Sequence, residues 1–242
     1  MNLIIILYIT LGLLPSLIWL SFYLREDTHS EPKKMILKVF LWGSFITIPV
    51  FFVQIGLEYL LESVNLNPEI TSIIYWFLII SFSEELFKYL VIRVKVFNSY
   101  DLDEPLDVML YMVIAALGFA AVENILYLFS PAGQMSLDET VNRALGIAII
   151  RFVGATFLHT LCSAIIGYSI AISFDKPKRK YATIILGILI AVFLHGLYNF
   201  SLMTTEGFIQ VIIPIAIIFT LAILVLLGFS KLKKMKGECE IN

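Results

Sequence analysis

Six residues of this chain combine acid–base or metal-binding side chains with positions inside long apolar runs. They fall in four successive runs and comprise Glu84 and Glu85, Glu123, His159, and His195 with Asn199. A charged side chain at the centre of a membrane helix costs about 2.5–3.5 kcal/mol, so such residues usually face a protein interior and are functional. We therefore expect the six residues to form a polar core between four helices.

Glutamate and histidine side chains that converge in a helical bundle suit three chemistries. A divalent metal held by such residues activates a water molecule for hydrolysis. A desolvated carboxylate acts as a general base without a metal, while His and Asn stabilise an oxyanion. A proton or ion relay in a transporter uses the same residue types. The residue types alone leave these three alternatives open.

The segment from Ser83 to Lys88 carries two carboxylates and one ammonium group. On a helix, Lys88 lies one turn from both Glu84 and Glu85, while the two glutamates point about 100° apart. The four-residue spacing with Glu first is the favourable arrangement for an ion pair. We therefore expect Glu84 to pair with Lys88 and Glu85 to face a cavity, although a salt-bridged structural patch would also fit this segment.

The composition is that of a membrane protein. Hydrophobic residues make up 60% of the 242 residues, against the usual 45–50% of a soluble domain. The net charge of −2 gives no indication of a nucleic-acid partner. Lipid admits only helices or closed barrels, and the apolar runs are too long for barrel strands. The sequence therefore predicts an all-α polytopic membrane protein.

The apolar runs divide the chain into about seven transmembrane helices in one integral membrane domain, residues 1–242. The third to sixth runs, residues 70–203, contain the six polar residues and form the predicted four-helix catalytic core. The predicted spans are Asn2–Leu24, Met35–Leu57, Ile70–Ile92, Asp107–Phe129, Arg143–Phe174, Ala182–Met203 and Phe208–Ser230.

The basic residues predict the orientation in the membrane. Short cytoplasmic loops are enriched in Lys and Arg. Thirteen of the 17 basic residues lie in alternate connections and the tail, at Arg25, Lys33, Lys34, Arg93, Lys95, Lys176, Lys178, Arg179, Lys180, Lys231, Lys233, Lys234 and Lys236. We expect a multi-pass protein of the cell membrane with its N-terminus outside and its C-terminus in the cytoplasm.

The predicted depths of the polar residues in the membrane differ, which argues against a single site. Counted from the run ends at 1.5 Å per residue, Glu84 and His159 lie toward the cytoplasm, whereas Glu123 and His195 lie nearer the outside by up to about 10 Å. Helix tilt, or a fourth span that starts later than Asp107, would close this gap. Arg151 falls close enough to the outer end of the fifth run to extend its head group to the membrane surface. The third to sixth runs contain no proline, so we expect uninterrupted helices.

Four motifs in this order resemble the PrsW family of intramembrane proteases, within the superfamily of CAAX-processing and bacteriocin-processing enzymes. They are Glu84-Glu85-Leu86-Phe87-Lys88, the segment from Phe119 to Glu123-Asn124, the isolated His159, and His195-Gly196-Leu197-Tyr198-Asn199. The resemblance covers residues 70–200. It implies an intramembrane endopeptidase that cleaves membrane-associated proteins or peptides, such as single-span anti-sigma factors.

The resemblance also implies roles for the six residues. Glu84 and Glu85 would contain the water-activating carboxylate, Glu123, His159 and His195 would complete the site, and Asn199 would help His195 to hold the oxyanion. If the enzyme uses a metal, Glu123, His159 and His195 are the expected ligands and Zn²⁺ is the expected ion. A metal-free glutamate mechanism is the other possibility that the resemblance leaves open.

A non-enzymatic membrane protein is the alternative function. In that case the Glu, His and Lys cluster would be structural, and the chain would be a proton- or ion-coupled transporter, or an immunity or scaffold protein. Transporters more often show internal repeats and helices broken near the midplane. No second copy of the Glu84–Lys88 motif occurs in the chain, which favours the enzyme. Nothing in the sequence predicts the oligomeric state.

Overall fold

The computed structural model of the chain describes residues 2–27, 29–131, 133, 135–175 and 177–235. Lys176 and Lys236 of the predicted basic loops lie outside these residues. The described residues form helices and no β-strand. The long helices are α1 (Asn2–Tyr23), α2 (Lys33–Ser63), α3 (Pro68–Lys95), α4 (Pro105–Phe129), α5 (Leu137–Val153), α6 (Ala155–Ser173), α7 (Lys180–Thr204) and α8 (Gly207–Leu232).

Seven stretches of this helical chain are long and apolar enough to cross a membrane. Helices α5 and α6 together make one of them, Leu137–Ser173, and each of the other helices makes one. The predicted all-α fold with seven membrane-spanning segments is therefore confirmed.

Helix α4 is the centre of the bundle. All residues from Val108 to Leu117 are completely buried, and α4 packs chiefly against α6, α2 and α1. A helix that is apolar on every side belongs in the interior of a large bundle. Its position explains how Glu123, near the C-terminal end of α4, comes to lie among several other helices.

Small residues let α2 approach α4 closely. A Cβ atom on Gly118 would collide with the backbone oxygen of Phe40, and one on Gly43 would collide with the backbone oxygen of Ala115. In membrane bundles, such small residues allow van der Waals packing and interhelical hydrogen bonds that lipid cannot replace. One such bond runs from Ser44 Oγ to Gly118 O at 2.9 Å. The contact fixes α2 beside the polar core.

The fifth span begins six residues earlier than the sequence predicted. Ser136 and Glu139 form a capping box, in which each side chain accepts a hydrogen bond from the other residue's backbone N–H. This reciprocal bonding satisfies two free donors at the helix start. Helix α5 therefore starts at Leu137 rather than at Arg143, and Arg151 lies well inside the span.

Two helices that the sequence predicted to be uninterrupted are locally irregular. Residues Ile74–Ser81 of α3 form a π-helix directly before the segment that carries Glu84. Such π turns occur frequently at functional sites. The fifth span breaks at Gly154, whose φ of −99° and ψ of −95° are not helical. A Cβ there would lie 2.6 Å from Tyr198 Oη, so glycine permits the close contact at this break.

Candidate active site

The two adjacent glutamates of α3 have different partners. Both are buried, as is Lys88. Lys88 Nζ donates to Glu85 Oε1 at 2.6 Å, whereas Glu84 Oε2 is 3.9 Å away. The expectation that Glu84 pairs with Lys88 is therefore wrong, and Glu85 is the paired residue.

Contacts from other helices decide this pairing. His195 Nδ1 lies 2.9 Å from Glu85 Oε1, and Ser163 Oγ donates to Glu85 Oε2 at 3.2 Å. The intrahelical preference for Glu84 is worth only about 0.2–0.5 kcal/mol, while hydrogen bonds to charged groups contribute about 1.5–3 kcal/mol each. The interhelical bonds thus outweigh the local preference.

Glu84 faces a cavity and is incompletely bonded. Its Oε1 accepts from Gln54 Nε2 of α2 at 3.2 Å. Its buried Oε2 has no hydrogen-bond partner among the described residues. That oxygen lies 3.8 Å from His159 Nδ1 and 3.9 Å from both His195 Nε2 and Lys88 Nζ. These gaps are too long for direct hydrogen bonds.

The two histidines are held in defined tautomers. Lys88 Nζ lies 2.9 Å from His159 Nδ1, and because an ammonium group has only donors, Nδ1 accepts. His159 Nε2 then carries the proton and donates to Glu123 Oε2 at 2.8 Å. His195 donates from Nδ1 to the Glu85 carboxylate, which leaves the lone pair of Nε2 directed toward Glu84.

Arg151 completes the network from α5. Its Nη2 donates to Glu123 Oε2 at 2.7 Å and its Nε to Asn124 Oδ1 at 2.6 Å. The side chain is buried, which speaks against the alternative that it extends its head group to the membrane surface. The earlier start of α5 is the reason, because it places Arg151 deeper than the hydropathy of the run indicated.

The hydrogen-bonded groups alternate in charge from Arg151 to His195. Arg151 pairs with Glu123 and Lys88 pairs with Glu85, so each cation is matched by one carboxylate. Glu84 is the carboxylate left over. Its negative charge is therefore not neutralised by a directly bonded cation, which is the condition expected of a group that binds a cation or takes up a proton.

The predicted convergence of four spans is present in the structure. His159 reaches both Glu123 and the vicinity of Glu84, and its ring centre lies 5.0 Å from that of His195. The depth gap of up to about 10 Å that the run ends indicated therefore does not separate these side chains. The fifth span starts earlier than its apolar run and is interrupted at Gly154. Asn199 lines the cavity one turn from His195.

The cavity has a volume of about 500 Å³ and is lined by residues of α2 to α7. Glu84, Glu123, Arg151, His159 and His195 contribute polar groups to its wall. Glu85 and Lys88 lie behind this wall and are completely buried. Most of the remaining lining is apolar or aromatic, which suits an apolar peptide segment.

The residues placed to hold a metal differ by one from the predicted set. Potential ligand atoms of Glu84, His159 and His195 lie within 4.8 Å of one another. Glu84 thus takes the place predicted for Glu123, whose Oε2 already accepts from Arg151 and His159. Two histidines and one carboxylate form a known ligand set for catalytic zinc.

Sequence reasoning missed Gln54 and Arg151. Gln54 is a single neutral amide in an otherwise apolar run, and hydropathy gave no reason to bring α2 to the site. The Ser136–Glu139 capping box was a readable signal for the earlier start of α5. Recognising it would have placed Arg151 deeper inside the span, where a charged side chain is functional by default.

A family model described as PrsW family intramembrane metalloprotease matches residues 31–227 of the chain. The chain belongs to this family. The PrsW family resemblance inferred from the four motifs is thereby confirmed, and with it the prediction of an intramembrane protease in a multi-pass membrane protein. The alternative of a transporter, an immunity protein or a scaffold is set aside.

Curated relatives of this PrsW-family chain match over most of their length, and each bears the name Protease PrsW. The relative from Oceanobacillus iheyensis is 27% identical over 96% of this chain and 97% of its own. The Bacillus subtilis relative is 29% identical over 97% and 96%, respectively. The Geobacillus kaustophilus relative is 31% identical over 82% and 80%. No solved structure matches the chain.

Proposed function

We propose that this protease activates water at Glu84 and hydrolyses a peptide bond of a membrane-associated protein within the cavity. The free Oε2 of Glu84 is the observation that carries the proposal. It is buried, without a hydrogen bond to the described residues, and close to His159, His195 and Lys88. A water molecule there would meet a base and several polar groups.

The proposed reaction is general-base hydrolysis. Glu84 takes a proton from water as the water oxygen attacks the peptide carbonyl carbon. The carbon–nitrogen bond then breaks, and Glu84 returns the proton to the leaving nitrogen. The His195 Nε2 lone pair, fixed by the bond from Nδ1 to Glu85, accepts a second hydrogen bond from the same water. The Asn199 amide donates to the oxyanion from the cavity wall.

The donor set also fits a zinc ion held by Glu84, His159 and His195. Bound zinc would polarise the peptide carbonyl and lower the pKa of a bound water to about 7. To offer Nδ1 as a ligand, His159 must first lose its hydrogen bond from Lys88. Lys88 would keep its stronger contact with Glu85.

The cavity and the loop charges together support a proposal for the substrate class and the orientation in the membrane. Ser130 and Met203 line the cavity near the connections that the charge pattern places outside. We therefore infer that the cavity is in the outer half of the membrane, with the N-terminus outside and the C-terminus in the cytoplasm. A single-span protein of the anti-sigma-factor type, cut near its outer end, fits this placement. The catalytic core is residues 70–203 together with Gln54 of α2.

The test compares purified variants of the full chain in detergent, with a fluorescein-labelled peptide of one apolar transmembrane span and its outer flank as the substrate. Glu84→Gln should lower kcat by about 10²–10⁴-fold, the usual contribution of a general acid–base group. Glu62→Gln is the matched control, since Glu62 lies exposed at the end of α2. Undiminished cleavage by Glu84→Gln would overturn the proposed role of Glu84.

Metal analysis of the same samples separates the two forms of the mechanism. Stoichiometric zinc in the wild type that is lost in His159→Ala and His195→Ala would support metal-assisted hydrolysis. Cleavage by fully active protein without zinc would support hydrolysis by Glu84 alone. Zinc that is retained in both histidine variants would contradict the proposed ligand set.

A further inference from the structure

Arg151 makes three contacts with one face of α4. Its Nη2 and Nε donate to Glu123 and Asn124 at 2.7 and 2.6 Å. The guanidinium carbon lies 3.9 Å from the ring centre of Tyr127. A planar guanidinium can make two directed hydrogen bonds and stack on an aromatic ring at once, whereas a lysine ammonium cannot reproduce this geometry.

Glu123 links Arg151 to His159. One oxygen, Glu123 Oε2, accepts from both Arg151 Nη2 and His159 Nε2. A carboxylate that accepts from a histidine N–H fixes the tautomer and the ring orientation. Without Arg151, Glu123 would keep the histidine bond alone and could rotate about its side chain. The opposite ring nitrogen, Nδ1, is the one that lies beside Glu84.

We propose that Arg151 is a positioning residue for peptide hydrolysis, which orients His159 through Glu123 without contacting the reacting atoms. This inference rests on the proposed function, since it gives His159 a defined orientation beside Glu84. Partners of this kind typically change affinity or activity by about 10–100-fold when removed.

The chain contains a matched control for the tethering effect of Arg151. Arg143 lies two turns earlier on the same helix and also joins α5 to the end of α4. It donates to Leu128 O at 3.3 Å, to Ser130 O at 3.2 Å and to Ser130 Oγ at 2.8 Å. Loss of Arg143 therefore loosens α5 without touching Glu123.

The first experiment needs no substrate. The chain has three histidines, so ¹⁵N-histidine NMR of the purified full chain in detergent gives few signals, and His159→Gln identifies those of His159. Wild type and Arg143→Gln should both show His159 with its proton on Nε2. In Arg151→Gln the proton should stay on Nε2, because Lys88 still donates to Nδ1, but both ring signals should shift and broaden as Glu123 and the ring lose their fixed orientation. Arg151→Lys should lie between Arg151→Gln and wild type. Unchanged His159 signals in Arg151→Gln would overturn the proposal.

The second experiment measures cleavage of the fluorescein-labelled single-span peptide. Arg151→Gln should lower kcat by about 10–100-fold with KM unchanged, and Arg151→Lys should recover part of the loss. In a Glu123→Gln background, Arg151→Gln should add little further loss, because the two residues act through one contact. A raised KM with unchanged kcat, or an equal loss in Arg143→Gln, would contradict a positioning role.

The two experiments remain decisive if one variant fails to fold or the probe is not cleaved. Arg151→Lys retains the charge and carries both measurements in place of Arg151→Gln. Wild-type protein that leaves the single-span peptide intact counts against the proposed function. The NMR comparison then decides the role of Arg151 by itself.

Discussion

Removing the charge of Glu85 should affect stability, whereas removing the charge of Glu84 should affect activity. Glu85→Gln takes the anion out of a buried pair with Lys88 and weakens the bond from His195. Glu84→Gln changes a carboxylate that has a single bonded neighbour, Gln54. We predict that Glu85→Gln destabilises the fold, whereas Glu84→Gln removes activity and leaves stability nearly unchanged.

The magnitude follows from the bonds at each site. Breaking a buried ion pair by removing one partner costs about 3–5 kcal/mol. Glutamine keeps an oxygen that can still accept from Lys88, so Glu85→Gln should cost about 3 kcal/mol, at the lower end of that range. At about 2–4 °C per kcal/mol for a chain of this size, Tm should fall by about 6–12 °C. Glu84→Gln should change stability by less than about 1 kcal/mol, because its Oε2 has no bonded donor to lose.

Thermal unfolding in one detergent, followed by intrinsic tryptophan fluorescence, measures both variants. The three tryptophans of the chain provide the signal. Glu62→Gln, at an exposed site, corrects for the loss of one negative charge. Equal Tm values for the Glu84 and Glu85 variants, or a larger fall for Glu84→Gln, would refute the assignment of Glu85 as the partner of Lys88.

Three further predictions concern a helix contact, the candidate site and a carboxylate before α2. Gly118→Ala should cost about 1–3 kcal/mol in a thermal melt because its Cβ would meet α2, while Gly56→Ala, in open space, should not destabilise. Gln54→Leu should lower kcat and also lower Tm by a few degrees, since it removes the donor to the buried Glu84 Oε1; an unchanged kcat would contradict this. Burial raises the pKa of Glu31 above its ordinary 4.5, so its stabilising contribution is lost as pH rises through the raised pKa. The Tm of Glu31→Gln should therefore rise relative to that of wild type as pH increases above 4.5, and a difference that shrinks with increasing pH would contradict this.

The membrane-spanning pattern and the polar residues of four spans could be predicted because their signals are strong and local. Twenty apolar residues in succession allow few structures in lipid, and a carboxylate or histidine within them stands out. His195 and Asn199 share a helical face by spacing alone. These features need no knowledge of how the helices pack.

The choice between Glu84 and Glu85 could not be made in this way. Both lie within one helical turn of Lys88, and their difference is set by His195 and Ser163 on other helices. Gln54 reaches the site only because glycines bring α2 against α4. The partner of Lys88 and the position of Gln54 both depend on residues that are far apart in sequence. The local spacing of residues does not predict such contacts.

The alternating chain of charges from Arg151 to His195 has a consequence for how the protein can change during evolution. Loss of Lys88 alone would leave the anion of Glu85 unpaired, and loss of Glu85 alone would leave the cation of Lys88 unpaired. In a soluble enzyme water could hydrate the stranded group, but at this depth it cannot, and an unpaired buried charge is strongly destabilising. Viable descendants should therefore replace these residues in pairs, and Arg151 with Glu123 likewise. Glu84, which has no bonded cation to strand, is constrained by its chemistry rather than by its neighbours.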